Sequence, residues 1–111
     1  MITLDIEEAV RKHIEVSKVL GPLIHRTDST DFLNFAVLGL TEESGEVSGL
    51  AVRSIYKLKD VQEDRWLEEL GDVLWYLVAT ILAKGYTIEE VWRYNTKKLE
   101  DRYEELKADR E

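Results

Sequence analysis

The chain has 111 residues, 44% of them hydrophobic and 34% charged, with a formal charge of −8 and no cysteine. That balance fits one folded domain over residues 1–111 and excludes a disordered chain, disulfides, thiol catalysis and zinc–thiolate sites. The acidic excess argues against nucleic-acid binding, which needs a basic surface, but leaves room for a polyphosphate held through a cation.

One proline and six glycines are too little punctuation for an all-β sandwich, so an all-α fold is expected. The first helix should run from about Leu4 to Leu20, with Ile6, Val10, Ile14, Val16, Val19 and Leu20 at helical intervals. Gly21-Pro22 stops it. The second should begin near Asp31, capped by Ser29, Thr30 or Asp31, and continue to about Tyr56. Its apolar face holds Phe32, Ala36, Leu40, Val47 and Leu50. Gly39, Gly45 and Gly49 interrupt it, which suggests close approach by another helix or room for a ligand. The third spans about Gln62 to Lys84, with Trp66, Leu70, Val73, Leu74, Leu77, Val78 and Ile81 as a wide buried stripe and Gly85 as its stop. The fourth opens on the capping box Thr87-Ile-Glu-Glu90 and should turn Ile88, Val91, Trp92, Leu99, Tyr103 and Leu106 inward. Residues 107–111 should fray. The first residues lack the basic and apolar stretches of a signal peptide. The longest apolar run, Val73 to Ala83, is too short to span a bilayer. A cytoplasmic protein with no membrane partner is expected.

The informative feature is where the acids fall. With about 100° per residue, Glu43 lands inside the apolar arc of Ala36, Leu40, Val47 and Leu50. Glu46 sits on its flank, and Glu42 lies farther round. A carboxylate on a buried face is costly unless something compensates it. On the third helix Glu69 and Asp72 share a face at the border of the apolar stripe. Two such pairs can converge on one point, where like charges repel unless a cation sits among them. Oxygen-only ligation suits magnesium or manganese. On the fourth helix Asn95, Lys98 and Arg102 fall along one face, which would serve either an anionic ligand or ordinary surface ion pairs. Arg53 and Lys57 are further phosphate candidates, although a helix C-terminus favours cations in any case. His13 and His25 lack metal-ligand spacing.

Leu38-Gly-Leu-Thr-Glu-Glu-Ser-Gly-Glu-Val47, Glu68-Glu-Leu-Gly-Asp-Val-Leu-Trp-Tyr-Leu77 and Asn95-Thr-Lys-Lys-Leu-Glu-Asp-Arg-Tyr103 resemble the MazG family of nucleotide pyrophosphohydrolases. The resemblance runs from about Asn34 to Tyr103. It implies a four-helix all-α bundle that assembles as a dimer or a dimer of dimers. It implies hydrolysis of a nucleoside triphosphate, ribo or deoxyribo, between the α and β phosphates. By motif position Glu43, Glu46, Glu69 and Asp72 would be the ligands of Mg2+, with Mn2+ able to substitute. Glu46 would also serve the attacking water, and Glu42, the acid that some relatives replace, could hold a second metal or orient the water. Asn95, Lys98 and Arg102 would contact phosphate or sugar. Asn34, Phe35, Trp66 and Tyr76 are candidate contacts to the base, although aromatics at helical spacing also build cores. Two rivals stand beside this reading. A di-metal oxidase would need Glu-x-x-His pairs, which are missing from both acid motifs. A non-catalytic helical interaction module would keep the fold without needing the buried acids.

Overall fold

The computed structural model describes residues 2–16, 30–57 and 59–110. Its helices are α1 (Ile2–Val16), α2 (Thr30–Ile55), α3 (Glu63–Ala83) and α4 (Ile88–Arg110). None of the described helices is long and apolar enough to cross a membrane. The expected end of the first helix at Gly21-Pro22, and His25, lie outside the described residues. The expected fraying tail is helical as far as Arg110.

The helix ends follow local chemistry. Gly85 adopts φ +79°, the left-handed conformation that glycine enters without a Cβ penalty. Its N–H bonds the Leu82 carbonyl and the Tyr86 N–H bonds the Ile81 carbonyl, the paired bonds of a Schellman stop. Thr87 and Glu90 then exchange reciprocal bonds of 3.1 Å, so the expected capping box starts α4. The buried carboxylate of Glu7 accepts a further bond from the Ile88 N–H, tying α1 to the start of α4.

α2 and α3 form the main packed pair. Their contacts run in opposite order: Phe35 and Gly39 meet Tyr76, and one turn along Glu43 meets Asp72 and Glu69. The helices are therefore antiparallel. α1 closes over one end, where Val10, Ile14, Phe32, Ala36, Val78, Ala79 and Leu82 are buried together. Ile6, Phe35, Trp75, Ala83 and Ile88 pack around that cluster.

Two expected buried faces are exposed in the single chain. On α3, Leu70, Leu74 and Leu77 are exposed, and burial goes to Val78, Ala79, Ile81 and Leu82. On α4 only Ile88 packs against the core, whereas Val91, Trp92, Leu99, Tyr103 and Leu106 are exposed. The reason is geometric. α4 touches the rest of the chain near its start and then stands away. The radius of gyration is 17.6 Å, against about 13 Å for a compact chain of this length.

The glycines of α2 divide likewise. A Cβ on Gly39 would sit 2.1 Å from the Tyr76 ring, so close approach requires glycine there. Gly45 and Gly49 face open space. Replacing Gly49 by alanine should therefore stabilise the protein by about 1 kcal/mol through helix propensity alone. Denaturant melts check this, and a loss of stability would show that another surface covers that face.

Candidate metal and nucleotide site

The antiparallel register decides which acids meet. Glu43 from α2 and Glu69 and Asp72 from α3 bring carboxylate oxygens within 4.8 Å of one another, a group that could hold a metal ion. Glu69 is buried, Glu43 is half-buried and Asp72 is exposed, so the cluster opens from the helix interface to solvent. Burial, and then the charges of Asp72, Glu69 and Glu42, push the Glu43 carboxyl above its ordinary value; a hydrogen bond with Glu69 adds to this. Glu46 is exposed on α2 and lies outside this group. Glu42 is also exposed, yet its charge is felt by Glu43 and Tyr76.

Sequence reasoning missed Arg65. One turn before Glu69, it pairs with that buried carboxylate at 3.3 Å and with Glu68 at 3.6 Å. Its guanidinium is a partial counter-charge for an acid that would otherwise be buried unpaired. The i, i+4 spacing was visible in the sequence, but only burial of Glu69 gives it meaning.

The raised Glu43 carboxyl has a pH consequence. The folded chain binds this proton more tightly than the unfolded chain does, so stability from this group is full below the ordinary value of 4.5 and is lost as pH rises through the raised one. In chelator, wild type should lose stability relative to Glu43→Gln as pH climbs from acid to neutral. Parallel profiles in thermal melts would contradict the electrostatic account of the cluster.

Beside the acids lies an aromatic cleft of about 280 Å³, lined by Phe35, Asp72, Trp75 and Tyr76. Phe35 and Tyr76 have ring centroids 5.7 Å apart, and Trp75 meets Tyr76 edge-on at 5.1 Å. Burial, and then the charges of Glu43, Glu42 and Asp72, push the Tyr76 hydroxyl upward, so it stays protonated and can donate near the acids. Trp75 Nε1 donates to His13 Nδ1 at 3.1 Å. This gives His13 a partner that no motif in the sequence announced. Of the other aromatic and polar base candidates, Asn34 is exposed and Trp66 is half-buried near the start of α3, outside this cleft.

The helix-four candidates lie apart from the cluster on the projecting α4. Asn95 is half-buried, in a second cleft with Tyr86, Glu90, Val91 and Tyr94. Lys98 and Arg102 are exposed, and among the described residues no carboxylate pairs with either. Their neighbours Arg93 and Lys97 are paired, with Glu89 at 2.6 Å and Asp101 at 3.5 Å. Arg53 and Lys57 are exposed at the end of α2 and in the turn after it.

The model of the MazG nucleotide pyrophosphohydrolase domain matches residues 34–106. The Gene 37 protein of Mycobacterium phage L5 is 34% identical over 80 residues, which cover 68% of this chain and 69% of that protein. No solved structure matches the chain.

Proposed function

Because the chain belongs to the MazG nucleotide pyrophosphohydrolase family, we propose that it hydrolyses a nucleoside triphosphate, ribo or deoxyribo, to the monophosphate and pyrophosphate. The observation that carries this reading is the convergence of Glu43, Glu69 and Asp72 from two helices, within 4.8 Å. Such a cluster of like charges is unfavourable on its own and suits a hard divalent cation. The donor set is all oxygen, which fits Mg2+ or Mn2+. When bound, the ion would supply charge neutralisation at the phosphates and lower the pKa of water.

The chain's own residues do the rest in this reading. Glu43, Glu69 and Asp72 hold the ion, and Arg65 keeps the buried Glu69 oriented toward it. Glu46, exposed one turn along α2 from Glu43, completes the ligand set or takes the proton of the attacking water, with Glu42 as the second acid for that task. The Tyr76 hydroxyl donates toward the anionic groups. Asn95, Lys98 and Arg102 bind phosphate or sugar; among the described residues no carboxylate pairs with either cation, which leaves both free to meet an anion, unlike Arg93 and Lys97.

α4 projects, so joining its cations to the acid cluster calls for a second copy of the chain. The exposed apolar seams of α3 and α4 support a homodimer or a dimer of dimers. The same seams favour the rival reading, an interaction module without turnover. The reading places the enzyme in the cytoplasm, beside its substrate pool. Pyrophosphate release from a panel of ribo- and deoxyribonucleoside triphosphates with magnesium separates the two. Turnover of at least one supports the enzyme. Turnover of none, with a melting point indifferent to magnesium, leaves the interaction module.

A further inference from the structure

Arg65 carries more capacity than Glu69 uses. It stands in the first turn of α3, on the same helix face as Glu69 and, two turns on, Asp72. Two turns are roughly 10 Å along the helix axis. Its Nη2 approaches Glu69 at 3.3 Å and its Nη1 approaches Glu68 at 3.6 Å. Both are longer than the roughly 2.7–2.9 Å of a tight charge-assisted bond. A guanidinium is a rigid fork with several N–H donors. This side chain is 45% exposed, and among the described residues no other side chain engages those donors. The axial order around the cluster is also uneven. From Asp72, the cleft of Phe35, Trp75 and Tyr76 lies toward the C-terminal end of α3 and Arg65 toward the N-terminal end. The described lining of that cleft has an acid and no cation. An anionic chain that meets the carboxylates therefore gains counter-charge along α3 by extending toward Arg65.

We propose that Arg65 binds the β and γ phosphates of the substrate with its spare donors and holds them as the departing pyrophosphate. The proposal rests on the hydrolase reading above and gives the triphosphate a direction across the carboxylates. In that reaction water adds its oxygen to the α phosphorus and gives up a proton. The bond from that phosphorus to the oxygen bridging to the β phosphate breaks, and its electron pair leaves with pyrophosphate. Arg65 stands on the side where this negative charge collects, and its guanidinium stays charged throughout. Its contacts with Glu68 and Glu69 hold the fork in place before any phosphate arrives, so little ordering is left for the moment of reaction.

The test is calorimetry in magnesium with two probes: inorganic pyrophosphate, and the monophosphate of the triphosphate that wild type turns over best. Arg65→Met should weaken pyrophosphate binding roughly tenfold, the scale of a hydrogen bond to a charged group. Its monophosphate binding should stay at the wild-type level. Its kcat should fall roughly a hundredfold, as when a donor to developing charge is removed. Arg65→Lys keeps a counter-charge for Glu69 without the fork, and serves if Arg65→Met fails to fold. It should lose roughly threefold in pyrophosphate affinity, because a point charge replaces the fork, with the wild-type rise in melting point on adding magnesium. A role limited to holding Glu69 would instead weaken both probes alike. That pattern, or unchanged pyrophosphate binding in folded Arg65 variants of an active enzyme, would overturn the assignment and leave the hydrolase reading standing. A wild type that hydrolyses no triphosphate would overturn the hydrolase reading and the assignment with it.

Discussion

Asp72→Asn is expected to lower pyrophosphate release by about 10³-fold, the scale seen when a group stabilising transition-state charge is removed, while leaving the metal-free fold as stable as wild type or more so. Asp72 is exposed and sits at the open edge of the carboxylate cluster. Asparagine keeps its size but removes a charge that pushes Glu43 upward, so the metal-free repulsion falls. The same change takes a ligand from the divalent cation, so the rise in melting point with magnesium should shrink or vanish. Opposite effects on stability and activity distinguish a metal site from a structural acid. The substitution is cleaner than Glu69→Gln, because Glu69 is buried and paired with Arg65 and its loss would leave the guanidinium short of a partner. Near-wild-type release by Asp72→Asn, measured with saturating magnesium, would remove the carboxylate cluster from the mechanism.

In the homodimer proposed above, Leu99→Glu is expected to leave the protein monomeric and to abolish activity with it. Trp92, Thr96, Leu99, Tyr103 and Leu106 recur at intervals of four and three along α4, a spacing that aligns side chains into one seam. Leu99 is 49% exposed and Tyr103 63% exposed in the single chain. On α3, Leu67, Leu70, Leu74 and Leu77 form a second exposed seam with the same spacing. Burying one leucine contributes roughly 2 kcal/mol, and a charge in its place adds a desolvation cost. In a symmetric dimer the substitution counts twice. Sedimentation at micromolar concentration reads the outcome directly. A Leu99→Glu protein that keeps both its wild-type mass and its activity would show that this seam faces solvent.

Much of this chain was legible before any coordinates. Helix order came from apolar periodicity, and the stop at Gly85 and the start at Thr87 came from local chemistry that those residues bring with them. The acid pairs were visible as charges in the wrong place, since a glutamate inside an apolar arc is costly wherever the helix ends up. Three motifs in order carried the family, which the match over residues 34–106 then established.

Periodicity shows that a face is apolar, but it does not say what covers it. The seams of α3 and α4 therefore read as core in the sequence, and only the path of α4 away from the other helices showed them exposed. Spacing likewise places acids on one helix face, but the rotation and axial register of a second helix decide which of them meet. That register brings Glu43 to Glu69 and Asp72 and leaves Glu46 exposed outside the group. It also sets Tyr76 on Gly39, while the packing of α1 sets Trp75 against His13. The amino-acid sequence by itself determined the helices, their ends and the supply of carboxylates; the tertiary structure decided which carboxylates converge and which rings face them, because contacts distant in sequence depend on how helices pack.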